Sequence, residues 1–173
     1  MILASSMFTL VFAAVFGLSS GRVYAEPSLQ EAKVTRVHDG DTVTILMKHR
    51  SYKARLIGID APEMGQRPWG KQAKDHLTAI LKRSDRTVFV ETDETKHDKY
   101  GRMLVYLWTK RTEFVNEAML RDGLAVLFTI QPNIKYLDSL KLAEQHAREE
   151  KKGIWGPKGL KESPADYRRK HPR

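Results

Sequence analysis

The sequence has no cysteine. That absence excludes disulfide frameworks, thiolate zinc or iron–sulfur centres, and a cysteine nucleophile. No internal repeat and no low-complexity segment is found, and the first 21 residues carry no charged side chain. What is present is 173 residues, 41% hydrophobic and 29% charged, a balance that reads as one globular domain with tails rather than a disordered chain. Lys and Arg number 30 against 21 Asp and Glu, for a formal charge of +9. The excess points to a polyanionic partner, either nucleic acid or an acidic membrane surface. A basic surface indifferent to partners has the same arithmetic, so charge alone does not choose.

The two ends read differently from the middle. Met7 to Leu18 is an apolar run of signal-peptide length, short for a membrane span. Val23-Tyr24-Ala25 places small residues at the −3 and −1 positions. The expectation is a signal peptide over 1–25, cleavage after Ala25, and a domain that works outside the cytoplasm in a periplasmic or secreted setting. An uncleaved N-terminal anchor is the alternative, because no Lys or Arg precedes the apolar run. At the other end, residues 157–173 hold six Lys or Arg, three prolines and no hydrophobic period. They read as an extended, flexible, mostly solvated basic tail.

Residues 26–156 form the expected domain. Val43, Ile45 and Met47 alternate with Thr42, Thr44 and Lys48, the period of a half-buried strand. Asp39-Gly40 ahead of it is turn chemistry, since such a pair tolerates positive φ. A strand from Tyr52 to Ile59 follows, ended by Pro62, and residues 31–59 as a whole hold three strands. A helix is expected over 68–83, with Ala73, Leu77, Ile80 and Leu81 on one face. Strands are expected over 87–91 and 103–109, the second apolar enough to be buried on both faces. Thr112 is expected to cap a helix over 113–122, closed by Gly123. The last helix spans about 136–152. The pattern fits an α+β, mainly β class: a small five-stranded barrel with about three attached helices, of which the OB-fold barrel is one example.

Several apparent motifs carry no chemistry. Gly65 to Lys71 matches G-x-x-x-x-G-K, but Gln72 follows where a magnesium-binding hydroxyl belongs. His38-Asp39 has no second histidine at ligand spacing, and no H-x-x-x-H occurs. Four other stretches matter together: Asp39-Gly40-Asp41-Thr42, Arg55 to Glu63, Asp98-Lys99-Tyr100-Gly101-Arg102, and Val115-Asn116-Glu117-Ala118. Singly, each reads as turn or surface. Jointly, Asp41, Asp60 and Glu63 offer hard carboxylate oxygens that suit Ca²⁺ or Mg²⁺ rather than zinc or copper. Arg55 and Arg102 add permanent charge with bidentate geometry for phosphate. Phosphodiester hydrolysis needs such a set. Its transition state gains negative charge, and water needs a base to become a good nucleophile.

These stretches, D-G-D-T, R-L-x-G-I-D-A-P-E, D-K-Y-G-R and V-N-E-A, resemble those of the thermonuclease, or staphylococcal nuclease-like, family. The resemblance covers about residues 32–155. It implies an OB-fold barrel and Ca²⁺-dependent cleavage of DNA and RNA with little sequence preference, leaving 3′-phosphates. It also implies residue roles. Asp41, Asp60 and the Ala61 carbonyl correspond to calcium ligands, and Glu63 to the group that orients or deprotonates the attacking water. Arg55 and Arg102 correspond to the phosphate clamp, and Lys99 and Tyr100 to substrate contacts. Asp39 is expected to shape the turn. Where some relatives carry phosphate-contacting tyrosines, this chain reads Leu127-Phe128-Thr129-Ile130. A monomer with no stable protein partner is expected. The rival readings are a non-catalytic nucleic-acid-binding OB-fold module, and a basic protein that binds anionic membrane or glycan. The second gives no reason for the carboxylate–arginine set.

Overall fold

The computed structural model describes residues 29–110 and 112–172, so the expected signal segment lies outside the described residues. The elements run β1 (Gln30–Val37), β2 (Thr42–Met47), β3 (Arg50–Leu56), β4 (Gly58–Asp60), α1 (Trp69–Lys82), β5 (Thr87–Glu91), β6 (Met103–Thr109), β7 (Glu113–Phe114), α2 (Val115–Arg121), β8 (Val126–Phe128), α3 (Leu137–Glu149) and α4 (Pro164–Lys170). Among the described residues, no helix is long and apolar enough to cross a membrane.

Five strands close on themselves in the order β3-β2-β1-β5-β6, with β6 pairing back onto β3. The closing pair is parallel, and every other barrel pair is antiparallel. This is an OB-fold barrel, as the sequence led us to expect. The alternation in β2 is obeyed: Val43, Ile45 and Met47 point inward. β6 is buried through Val105, Tyr106 and Leu107 at its centre. α1 buries Ala73, Leu77, Ile80 and Leu81 in the same core. α3 buries Leu140, Ala143 and Ala147.

Four details differ from the expectation. First, the strand expected over 52–59 is two. Ile57, just after β3, still bonds to the barrel, its N–H donating to the Val105 carbonyl at 2.9 Å, and Gly58 then turns with φ +80°. β4 leaves the barrel to pair with β8. A Cβ on Gly58 would sit 2.3 Å from Leu140 Cδ1, so only glycine supplies both the turn and the room. Second, Thr112 does not cap α2. Glu113 and Phe114 extend to pair with β6, Phe114 stacks on Trp108 at 4.3 Å, and the helix begins at Val115. Third, Gly40 does not have positive φ; it is needed because a Cβ would meet those of Ala61 and Ala73 at 2.6 Å. Fourth, the tail is not extended throughout. Ser163 accepts a hydrogen bond from the Asp166 N–H at 3.0 Å and Pro164 opens α4, a sound capping arrangement that raises the helix count to four.

Asn116 locks the point where β3 gives way to β4. Its side chain is fully buried, donates to the carbonyls of Ile57 (2.8 Å) and Val105 (3.3 Å), and accepts from the Leu107 N–H (3.0 Å). Removing it orphans buried backbone groups. Asn116→Ala is expected to lower stability by about 2–4 kcal/mol in urea denaturation. A loss below about 0.5 kcal/mol, the level of ordinary surface substitutions, would remove this role.

Candidate active site

Two strand pairings build the site. In the β2–β3 register Thr42 faces Arg55, so Asp41 precedes β2 beside an arginine near the end of β3. The Leu56 N–H donates to the Asp41 carbonyl at 2.9 Å and fixes that approach. In the parallel β3–β6 pair, Ala54 faces Met103, which sets Arg102 at the same barrel rim as Arg55. The turn at Gly58 then carries Asp60 back over this rim.

Asp41 and Asp60 are both buried, Asp60 with 1% of its surface exposed. Arg55 lies between them, Nη1 at 3.0 Å from Asp41 Oδ2 and Nη2 at 3.0 Å from Asp60 Oδ1. Asp41 Oδ2 also accepts from the Ala61 N–H at 2.7 Å, and its Oδ1 from the Thr42 hydroxyl at 3.0 Å. Asp39 shapes the turn as expected, accepting from the Asp41 N–H at 3.1 Å. Burial pushes the Asp41 carboxyl above the usual range, against the pull of Arg55.

Arg102 is aimed by Asp98. Its Nε donates to Asp98 Oδ2 at 2.7 Å, while Asp98 Oδ1 accepts the N–H groups of Tyr100 and Arg102, each at 2.9 Å. Burial opposes the Asp98 charge, but the Arg102 N–H and guanidinium outweigh it and hold the carboxyl below its ordinary range. Tyr100 is 73% exposed, with Arg102 at 5.5 Å and Lys99 at 5.2 Å from its ring centroid.

Glu63 follows Pro62 on the loop into α1. Its N–H donates to Gln66 Oε1 at 2.9 Å. Its carboxylate meets a group the sequence reading did not select. Arg168, from α4, places Nη1 at 3.0 Å from Glu63 Oε1 and spans both oxygens of Asp60 at 3.0 and 2.9 Å. The Ser163-Pro164-x-Asp166 cap was the available sequence signal for α4; nothing local pointed to a partner more than a hundred residues away. Asp98 and Gln66 also went unassigned. For Asp98 the i,i+4 spacing to Arg102 was a usable signal.

All the expected residues line one cleft of about 1360 Å³: Asp41, Arg55, Asp60, Ala61, Glu63, Lys99, Tyr100 and Arg102. Phe128 and Ile130 form part of its wall, so that segment contributes apolar surface. Among the described residues, no group of three or more His, Asp or Glu is gathered closely enough to cage an ion unaided. Asp41 and Asp60, tied through Ala61 and a shared guanidinium, instead form an all-oxygen pair that leaves other positions to water, which hard cations accept. A cationic group already spans Asp60 and Glu63, so the oxygens present suit a cation.

A closed five-stranded barrel with carboxylates and arginines gathered at one rim defines an OB-fold domain suited to holding a cation and an oxyanion together. The family described as "Staphylococcal nuclease homologue" matches residues 53–157. The chain belongs to that family. It is 36% identical over 131 residues to the thermonuclease of Staphylococcus hyicus, covering 73% of this chain and 76% of that protein. It is 34% identical over 169 residues to the thermonuclease of Staphylococcus intermedius, covering 90% and 94%. It is also 30% identical over 141 residues to endonuclease YncB of Bacillus subtilis, covering 78% and 65%.

Asp98 is a positioning residue in this arrangement. Asp98→Ala leaves Arg102 charged but unaimed, and misplacement by about 1 Å costs up to about 100-fold. The expected result is a fall in kcat against oligonucleotide substrate of about tenfold or more, with KM changed far less. A change in KM alone would assign Asp98 to the loop and not to Arg102.

Proposed function

We propose that this protein is an exported, calcium-dependent nuclease that hydrolyses phosphodiester bonds in DNA and RNA with little sequence preference. The observation that carries the reading is the single rim where Arg55 joins Asp41 to Asp60 while Glu63 and Arg102 line the same cleft. A binding-only barrel gives no reason to bury two carboxylates there. The N-terminal apolar segment and its small residues before position 26 support export.

Asp41, Asp60 and the Ala61 carbonyl would hold the calcium ion. When bound, it supplies Lewis-acid polarisation of the scissile phosphate. Arg55 and Arg102 take phosphate oxygens and stabilise the charge that builds in the transition state. The Asp98 carboxylate keeps Arg102 oriented for this. Glu63 orients a water and accepts its proton as the oxygen attacks phosphorus. The P–O5′ bond breaks, the 5′ oxygen takes a proton from solvent, and phosphate stays on the 3′ carbon. Lys99 and Tyr100, which line the same cleft, are assigned to the neighbouring nucleotide. Charge directed at the phosphate backbone, beside an apolar wall at Phe128 and Ile130, supports low sequence preference.

Glu63→Gln is expected to slow single-turnover cleavage by about 10²–10⁴-fold, or about 3–5 kcal/mol. Arg102→Lys keeps charge but loses the fork, and is expected to lower kcat more than it raises KM. End-group analysis of the products is expected to show 3′-phosphates. Unchanged cleavage by Glu63→Gln, or 5′-phosphate ends, would overturn the assignment. DNA retained in a gel shift but never cut would favour the binding module.

A further inference from the structure

We propose that α4 is a built-in competitor for the cation site: the Arg168 guanidinium occupies Asp60 and Glu63 when calcium is absent, and calcium binding displaces it. This rests on the calcium reading above and adds a control to it.

Arg168 does not meet the site by accident of a loose tail. Ser163 caps the helix, and Gln66 Nε2 donates to the Glu162 carbonyl at 3.0 Å, tying α4 to the loop that carries Glu63. Lys170 pairs with Glu162 at 2.6 Å. Tyr167 seats against Gly65, where a Cβ would lie 2.1 Å from its hydroxyl. Any side chain at Gly65 would push Tyr167 away. The helix therefore has a defined seat, and the seat aims Arg168 inward.

Once there, the guanidinium forms charge-assisted bonds to both Asp60 oxygens and to Glu63 Oε1, all between 2.9 and 3.0 Å. These are the oxygens that the cation and the attacking water need. Coulomb repulsion gives the direction. Asp60 faces both Arg55 and Arg168, and Glu63 faces Arg168. A divalent cation placed beside Arg168 meets like-charge repulsion at contact distance, whereas exchange for Arg168 removes that repulsion. The exchange is physically accessible because the Arg168 side chain is 40% exposed, while Asp60 is buried and must keep a counter-charge. Calcium binding then takes the Arg168 guanidinium off Glu63.

The test uses the full chain and calcium chloride alone. Calcium affinity is measured by titration calorimetry for the wild type, Arg168→Gln and Tyr167→Ala, with amide hydrogen exchange across residues 164–170. If the docked form dominates by about ten to one, Arg168→Gln binds calcium about tenfold more tightly than wild type. Tyr167→Ala, which keeps the charge but loosens the seat, moves affinity the same way by less. In the wild type, calcium raises exchange in 164–170. Equal or weaker calcium binding by Arg168→Gln overturns the competitor role and leaves the calcium reading intact. Calcium binding to none of the three proteins overturns both.

Discussion

Two buried carboxylates at one end of a small barrel are the constraint on which the rest depends. Moving an ionised carboxylate out of water costs several kcal/mol unless a counter-charge and hydrogen bonds accompany it. Asp41 and Asp60 meet that condition by sharing Arg55, which bridges them at 3.0 Å on each side. The sharing requires that the start of β2, the end of β3 and the end of β4 converge. The β2–β3 register achieves the first approach, and the turn at Gly58 with its Asn116 staple achieves the second. The barrel's parallel closing pair then sets Arg102 at the same rim.

This constraint also explains why positive charge does two different things here. The formal +9 acts at a distance, raising the local concentration of a polyanion and falling off with salt. The arginines of the cleft act at contact, and each is already committed to a carboxylate. Arg55 balances Asp41 and Asp60, Arg102 is held by Asp98, and Arg168 spans Asp60 and Glu63. Fixing a guanidinium before substrate arrives lowers the reorganisation needed in the transition state. A basic tail on general grounds would only have added to the first kind of charge. Folded as α4, it adds Arg168 to the second.

Much of this was legible in the chain. The alternation of Val43, Ile45 and Met47 marked β2, the 3.6-residue spacing of Ala73, Leu77 and Ile80 marked α1, and the four short motifs marked a set whose residues line one cleft. The remainder lay in relations between distant residues. The break at Gly58 depends on Leu140, and the start of α2 on Trp108 stacking with Phe114. Asn116 sat in a recognised motif, yet its work is done on Ile57 and Leu107. α4 is only seven residues long, too short for a period, and its seat is made by Gly65 and Gln66. Local pattern specifies elements; it does not say which of them meet.

The central claim is that the Arg55-bridged carboxylate pair forms a cation-dependent hydrolytic centre. It is tested most directly by incubating the purified protein with DNA and with RNA, in calcium or in a calcium chelator. The account predicts fragmentation of both polymers with calcium and none with chelator. Cleavage that persists in chelator, or intact nucleic acid in calcium, would contradict it.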